Sequence, residues 1–343
     1  MNRFLDMRNS IPRVGITLGD PAGIGPELVL CALLAPEWRD RLQFVIYGNA
    51  MLLQRVLQAV RIPWPADLQV VPAGATGDSI PNVSVPLLVD LPFPEAATIR
   101  PGQLQASCGA MAATWIETAT RDAMSGRIDA LVTAPVNKQA LRLAGVQYTG
   151  HTEMLAALTG APRVAMLFWS PDLLVSLATI HLPLSNVSSA LTIPRLLETI
   201  RLTAQACVRF GRAGSPIGVL ALNPHAGEHG LMGREEADVI VPAIAAANAE
   251  GIPAVGPLVP DTVFLPDRIA AHSAYVAMYH DQGLIPFKML AFDDGVNVTL
   301  GLPIVRTSPD HGTAFDQAWK GTANPSSLFS AIRCAVLLAG DRL

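Results

Sequence analysis

Three histidines stand directly behind short apolar runs: His181 closes Ala178-Thr179-Ile180, His225 follows Leu222-Asn223-Pro224, and His280 follows Met278-Tyr279. Imidazoles at three strand ends can converge on one divalent cation and leave positions open for a substrate, which is the arrangement metal-assisted chemistry requires. Taken singly, each is as well explained as a hydrogen-bonded structural histidine, and no HExxH or comparable local signature decides the matter. A second cluster is Gly150-His151-Thr152-Glu153. Thr152 and Glu153 there read as the cap and first-turn acid of a helix over Met154 to Leu158, while His151 and the free amides of such a cap can face an anion.

Cations are scarce, 24 Lys and Arg in 343 residues, so Lys288 and Arg306 flanking Asn297 in glycine-containing sequence suggest capture of a phosphate or carboxylate rather than two solvated side chains. Asp261, Asp281 and Lys288 are candidates for proton transfer, because an acid or amine beside a cation is tuned toward neutral pH. Asp261 could equally cap the turn after Val259-Pro260. Ser308, Asp310 and His311 lie almost contiguously and no GxSxG occurs, so they are not read as a hydrolase triad. Gly23-Ile24-Gly25-Pro26 does not extend into GxGxxG and no GxxxxGK[ST] is present, so any dinucleotide binds by a non-Rossmann route.

The elements that must position these residues alternate. Strand patterns at Arg13–Leu18, Leu42–Tyr47, Ala130–Thr133, Val164–Phe168, Leu174–Thr179, Ile217–Leu222 and Ala274–Met278 are interleaved with helical ones, notably Glu27–Leu34, Met51–Val60 and Met111–Ser125. That alternation predicts an α/β fold with a largely parallel sheet, whose loops beyond the carboxyl ends of the strands carry ligands. Residues are 50% hydrophobic and 15% charged, which predicts extensive burial, and the length favours two lobes over one core. The mean hydropathy is +0.36, yet Pro, Gly or a charge cuts every apolar stretch before the roughly 18 residues a spanning helix needs. Met1 to Pro12 lacks the apolar core of a signal peptide, so the expected location is cytoplasmic, without membrane partners. A net charge of -4 gives no basic field for nucleic acid, and Cys31, Cys108, Cys207 and Cys334 form no CxxC pair.

Six segments carry a resemblance: Gly19–Glu27 (GDPAGIGPE), Thr133–Lys138 (TAPVNK), Gly150–Glu153 (GHTE), Asn223–Glu228 (NPHAGE), Tyr279–Gly283 (YHDQG) and Arg306–Ala314 (RTSPDHGTA). In this order, over nearly the whole chain, the sequence resembles the 4-hydroxythreonine-4-phosphate dehydrogenase family of pyridoxal phosphate biosynthesis. The resemblance implies an isocitrate/isopropylmalate dehydrogenase-like α/β fold with two lobes around a central cleft and non-Rossmann dinucleotide binding. It implies a dinucleotide-binding lobe over 12–135 plus 285–343, and a metal, substrate and dimerisation lobe over 136–284.

The resemblance further implies a divalent metal, zinc first with magnesium or cobalt as alternatives, held by His181, His225 and His280 in a site shared between the subunits of a homodimer. His151, Thr152, Lys288, Asn297 and Arg306 would contact a small phosphorylated hydroxy acid. The segment His311 to Pro325 is similar to the adenosine-binding loop of isopropylmalate dehydrogenases, which implies NAD or NADP contacts from Gly312, Thr313, Ala314, Asp316 and Asn324. Asp316 would take the ribose hydroxyls, favouring NAD, and Asn324 the adenine. The implied reaction oxidises 4-phosphohydroxy-L-threonine and releases carbon dioxide, giving 3-amino-2-oxopropyl phosphate. Rival readings are a paralogue acting on phosphorylated threonate or erythronate or on a cyclic diol acid, and a metal-dependent hydrolase or lyase without dinucleotide. Trp319, where a small residue is expected, and Asp293-Asp294 near the presumed phosphate site depart from the family pattern.

Overall fold

The apolar runs become strands. Numbered along the chain they are β1 (Arg13–Thr17), β2 (Gln43–Gly48), β3 (Gln69–Pro72), β4 (Leu87–Asp90), β5 (Ala130–Thr133), β6 (Ala165–Trp169), β7 (Leu174–Leu177), β8 (Ile217–Leu220), β9 (Ala254–Leu258), β10 (Ala274–Ala277), β11 (Val296–Leu300) and β12 (Arg306–Pro309). This computed structural model describes residues 11–73, 85–148 and 150–340, so all but the last two residues of the leading segment Met1 to Pro12 lie outside the described residues. The chain divides into two units, Met1–Pro162 with Leu302–Leu343, and Arg163–Gly301. Residues 136–162 thus belong with the first unit and 285–301 with the second, whereas the lobes expected from sequence divided at 135 and 285.

In the first unit the strand order is β3-β4-β2-β1-β5-β12, and all five neighbouring pairs are parallel. β1, β2 and β5 are buried along nearly their whole length, which is why they read as continuous apolar runs rather than alternating ones. Thr17 of β1 is level with Thr133 of β5, and Thr307 of β12 with Val132. The segments leaving these three neighbouring strands, Leu18 onward, Ala134 onward and Asp310 onward, therefore emerge at one sheet edge.

The second unit has the order β11-β6-β7-β10-β8-β9. β6 pairs antiparallel with both β11 and β7, while β7, β10, β8 and β9 run parallel. Its core includes Val219, Val276 and Met278 against Leu196 and Ile200 of the helix Ile193–Arg209. Among the described residues no helix is long and apolar enough to cross a membrane.

The helix expected over Met111–Ser125 begins earlier and runs Ala106–Met124. Its first turn, Ala106-Ser107-Cys108-Gly109-Ala110, has too few large apolar residues to show helical periodicity, but smallness is what the packing needs. A Cβ on Gly109 would fall on the backbone carbonyl of Ala140 in the helix Lys138–Leu143. Gly109→Ala should therefore destabilise the protein by about 3 kcal/mol in urea unfolding despite alanine's better helix propensity. Gly126→Ala, at φ +72° with nothing within 4 Å of the new methyl, should cost only about 1 kcal/mol.

Candidate functional site

Strand register explains how two of the three histidines meet. β7 and β10 are parallel neighbours with Leu177 level with Ala277, and the pairing continues past their ends through Ala178 N to Ala277 O at 2.8 Å and Thr179 Oγ1 to Met278 O at 2.7 Å. His181 and His280 leave the two strands side by side, with ring centroids 5.6 Å apart. Gln282 locks the turn that carries His280, accepting from Met278 N and donating to Ala221 O beyond β8, both at 2.7 Å. His280 Nδ1 lies 2.7 Å from Asp281 Oδ1, so the carboxylate holds a proton on Nδ1 and leaves Nε2 as the donor atom.

His225 does not join them within one chain. Residues His225 to His229 all have positive φ, 43° to 77°, a left-handed turn that costs non-glycine residues on the order of 1–2 kcal/mol each and needs external support. Glu236 supplies it, accepting from Leu222 N and Asn223 N through Oε1 at 2.9 and 2.7 Å and from Asn223 Nδ2 through Oε2 at 2.9 Å. The His225 side chain is left 65% exposed, 3.5 Å from Glu228. Among the described residues no group of three His, Cys, Asp or Glu side chains is placed to hold a metal ion. Glu235 and Glu236, which build this turn, carried no signal beyond their charge.

The other candidates of the second unit stand on separate elements. Lys288 lies exposed near the end of the helix His280–Leu290. Asn297 is on β11 opposite Phe168, its Oδ1 buried and without a hydrogen-bond partner. Asp261 is exposed in the short helix Pro260–Val263.

In the first unit, Arg306 opens β12 and is only 2% exposed, its Nη2 and Nε donating to Thr133 Oγ1 at 2.7 and 3.2 Å. Burial lowers its pKa to about 9, which leaves it a cation at neutral pH. His151 heads the helix His151–Thr159, after an extended Gly150, so Thr152 lies buried inside the first turn rather than capping it as expected. Burial first, then the charges of Arg306 and Lys138, holds the His151 imidazole well below its ordinary pKa, and its Nε2 is buried without a partner. Two cations, a neutral imidazole and the open amides of a helix start suit a small dianion. Lys138, quoted above only within a motif, starts a helix capped by Asn137 Oδ1, which accepts from Gln139 N and Ala140 N at 2.9 and 3.0 Å.

The loop after β12 holds the expected nucleotide contacts. Thr313 O accepts from Ile24 N at 3.0 Å, Ala314 is left-handed at φ 42°, and Asp316 is exposed. Gly312 stands in open space. Asn324 Oδ1 is engaged by Ser326 N at 3.0 Å and Ser326 Oγ at 2.7 Å, so it also organises the start of the helix Ser326–Ala339. His311 Nδ1 bonds Gly312 O at 3.0 Å, which gives it no part in a triad. One buried acid was missed by sequence reasoning: Asp20 accepts from Ala22 N at 2.9 Å through Oδ1, its Oδ2 is buried without a hydrogen-bond partner, and burial raises its pKa to about 6.

Comparison with known proteins fits this frame. The sequence profile of the family described as pyridoxal phosphate biosynthetic protein PdxA matches residues 40–335. A 4-hydroxythreonine-4-phosphate dehydrogenase of Chromobacterium violaceum is 47% identical over 336 residues, covering 96% of this chain and 97% of that one. The crystal structure of 4-hydroxythreonine-4-phosphate dehydrogenase from Klebsiella pneumoniae superposes with a TM-score of 0.84 at 39% identity, over 96% and 99% of the two chains. A terephthalate 1,2-cis-dihydrodiol dehydrogenase from Burkholderia xenovorans gives 0.65 at 28% identity, over 95% and 98%. A β-decarboxylating dehydrogenase from Thermococcus kodakarensis, at 0.50 and 16% identity over 96% and 85%, shares the fold.

Asp20 yields a signed prediction. Its folded pKa, about 6, lies above the ordinary value of 3.8, so the native state holds the proton more tightly, and that stability is present below pH 4 and lost as pH rises through 6. Relative to Asp20→Asn, the wild type should lose about 2 kcal/mol between pH 4 and pH 7.5, read as the difference between their denaturant unfolding curves.

Proposed function

The chain belongs to the pyridoxal phosphate biosynthetic protein PdxA family, and from that premise we propose that it oxidises 4-phosphohydroxy-L-threonine with NAD or NADP and releases carbon dioxide, leaving 3-amino-2-oxopropyl phosphate. A hydride leaves the hydroxyl-bearing carbon for the nicotinamide and the hydroxyl proton is given up. The resulting β-keto acid then loses its carboxyl group, and a proton takes that place on carbon.

The observation that carries the reading is the enclosed Arg306, held by Thr133 Oγ1, with the charge of Lys138 and the neutral His151 imidazole in its neighbourhood, a set of groups that suits a phosphate. His151 and Thr152 begin a helix whose amides add to that seat.

His181 and His280 are a two-imidazole donor set that suits zinc or cobalt better than magnesium. In this reading His225 completes the set from a second copy of the chain, which its 65% exposed side chain permits. The same unit exposes Leu231 at 84% and Met289 at 82%, apolar surface that a homodimer would cover. A bound divalent ion would supply Lewis acidity at the reacting oxygen. Asp281 orients His280, which leaves Lys288 and Asp261 as the proton carriers. Asp316 favours NAD, and the location that suits this enzyme is the cytoplasm.

The likeness to the dihydrodiol dehydrogenase keeps one rival, oxidation of a cyclic diol acid or a phosphorylated threonate. Steady-state NADH and NADPH formation on all of these substrates should show the highest kcat/KM for 4-phosphohydroxy-L-threonine. Turnover confined to substrates without the amino group would sink the first reading, and absence of NAD or NADP binding by titration would sink both. Asp281→Asn should weaken zinc affinity about 10- to 100-fold, measured by competition with a chromophoric chelator.

A further inference from the structure

The proposed reaction leaves the segment Gly19–Glu27 without a task. Three side-chain and backbone contacts tie it to the loop after β12. Ile24 N donates to Thr313 O at 3.0 Å, Trp319 Nε1 donates to Pro21 O at 3.0 Å, and Gly321 N donates to Glu27 Oε2 at 3.0 Å. The other carboxylate oxygen, Oε1, is buried without a hydrogen-bond partner.

The fit is close enough to dictate residue types. A Cβ on Gly23 would stand 2.8 Å from Thr313 O, and one on Gly102 2.7 Å from Phe315 O, while Gly102 N donates to Ala22 O at 2.8 Å. Arg55 lies 5.1 Å over the Trp319 ring and donates to Ala96 O and Ile99 O at 2.6 and 2.8 Å, so the indole is clamped on its face as well as at its nitrogen. Within the loop Ala314 and Trp319 both have positive φ, 42° and 59°, conformations that persist only where the surroundings impose them. Trp319, out of place as a member of the family pattern, is one of the two anchors. Glu27 is the other, 3% exposed in the first turn of the helix Gly25–Leu34, where the helix dipole favours an acid.

We propose that Glu27 is a positioning residue for cofactor binding: its buried carboxylate holds the Gly321 amide and fixes residues 313–321 in the shape that receives the adenosine half of NAD or NADP. The proposal rests on the reading of Gly312 to Asn324 as the nucleotide loop. Asp316 stays exposed between the two anchored ends, while Glu27 is buried and acts through the loop it holds.

Glu27→Gln keeps the volume but loses the charge-assisted bond, and Glu27→Ala loses the acceptor. In the full-length enzyme the KM for the cofactor and its Kd by isothermal titration should rise about tenfold for Gln and further for Ala. The KM for the phosphorylated substrate and kcat at saturating cofactor should stay within about twofold, a split that general loosening of the fold would not produce. Unchanged cofactor affinity in either folded variant overturns the proposal, as does a parallel change in kcat and both KM values. Asp316→Ala and Asn324→Ala separate the two levels. If they weaken cofactor binding and Glu27→Gln does not, Glu27 alone is wrong; if none of the four does in an active enzyme, the loop itself has been misread.

Discussion

Parallel pairing is the constraint on which the rest depends. When strands run parallel and in register, whatever follows each of them emerges at the same edge, however far apart the segments lie in sequence. β1, β5 and β12 deliver Leu18 onward, Ala134 onward and Asp310 onward to one edge of the first unit. β7 and β10 do the same in the second, and their matched ends put two imidazoles 99 residues apart in sequence beside each other. Neither site needs a continuous motif, which is why no single stretch of the chain announces its chemistry.

The first unit places titratable groups where solvation is poorest. Arg306, His151 and Asp20 are each displaced from their ordinary protonation behaviour, and in all three the first cause is burial. Burial makes a charge costly, and the Thr133 hydroxyl at Arg306 and the Ala22 amide at Asp20 offset part of that cost. Glu27 is buried as well, which raises its pKa, and its Oε2 accepts from the Gly321 amide.

How far the sequence disclosed this depends on the kind of information involved. Strands such as Ala130–Thr133 and Ala274–Ala277 were legible because a strand buried on both faces must be apolar throughout. The neighbourhood of His181 and His280 was legible because both follow such strands. His225 follows one too, but its backbone turns left-handed under the control of Glu236, thirteen and fourteen residues beyond the amides it binds, and nothing in local composition encodes that. Thr152 looked like a cap because capping residues and first-turn residues overlap in type. The start of Ala106–Met124 was hidden because Gly109 is selected by the Ala140 backbone, not by helix propensity. Lys138 and Glu27 drew no notice as individuals, since their roles arise from segments distant in sequence.

His225 reaches solvent already arranged, since Glu236 settles the turn from within the same chain. A partner or ion that engages the ring therefore finds little left to order, and preorganisation of that kind is expressed mainly as long residence rather than rapid capture. The strain in the backbone is thus converted into persistence of whatever the imidazole holds.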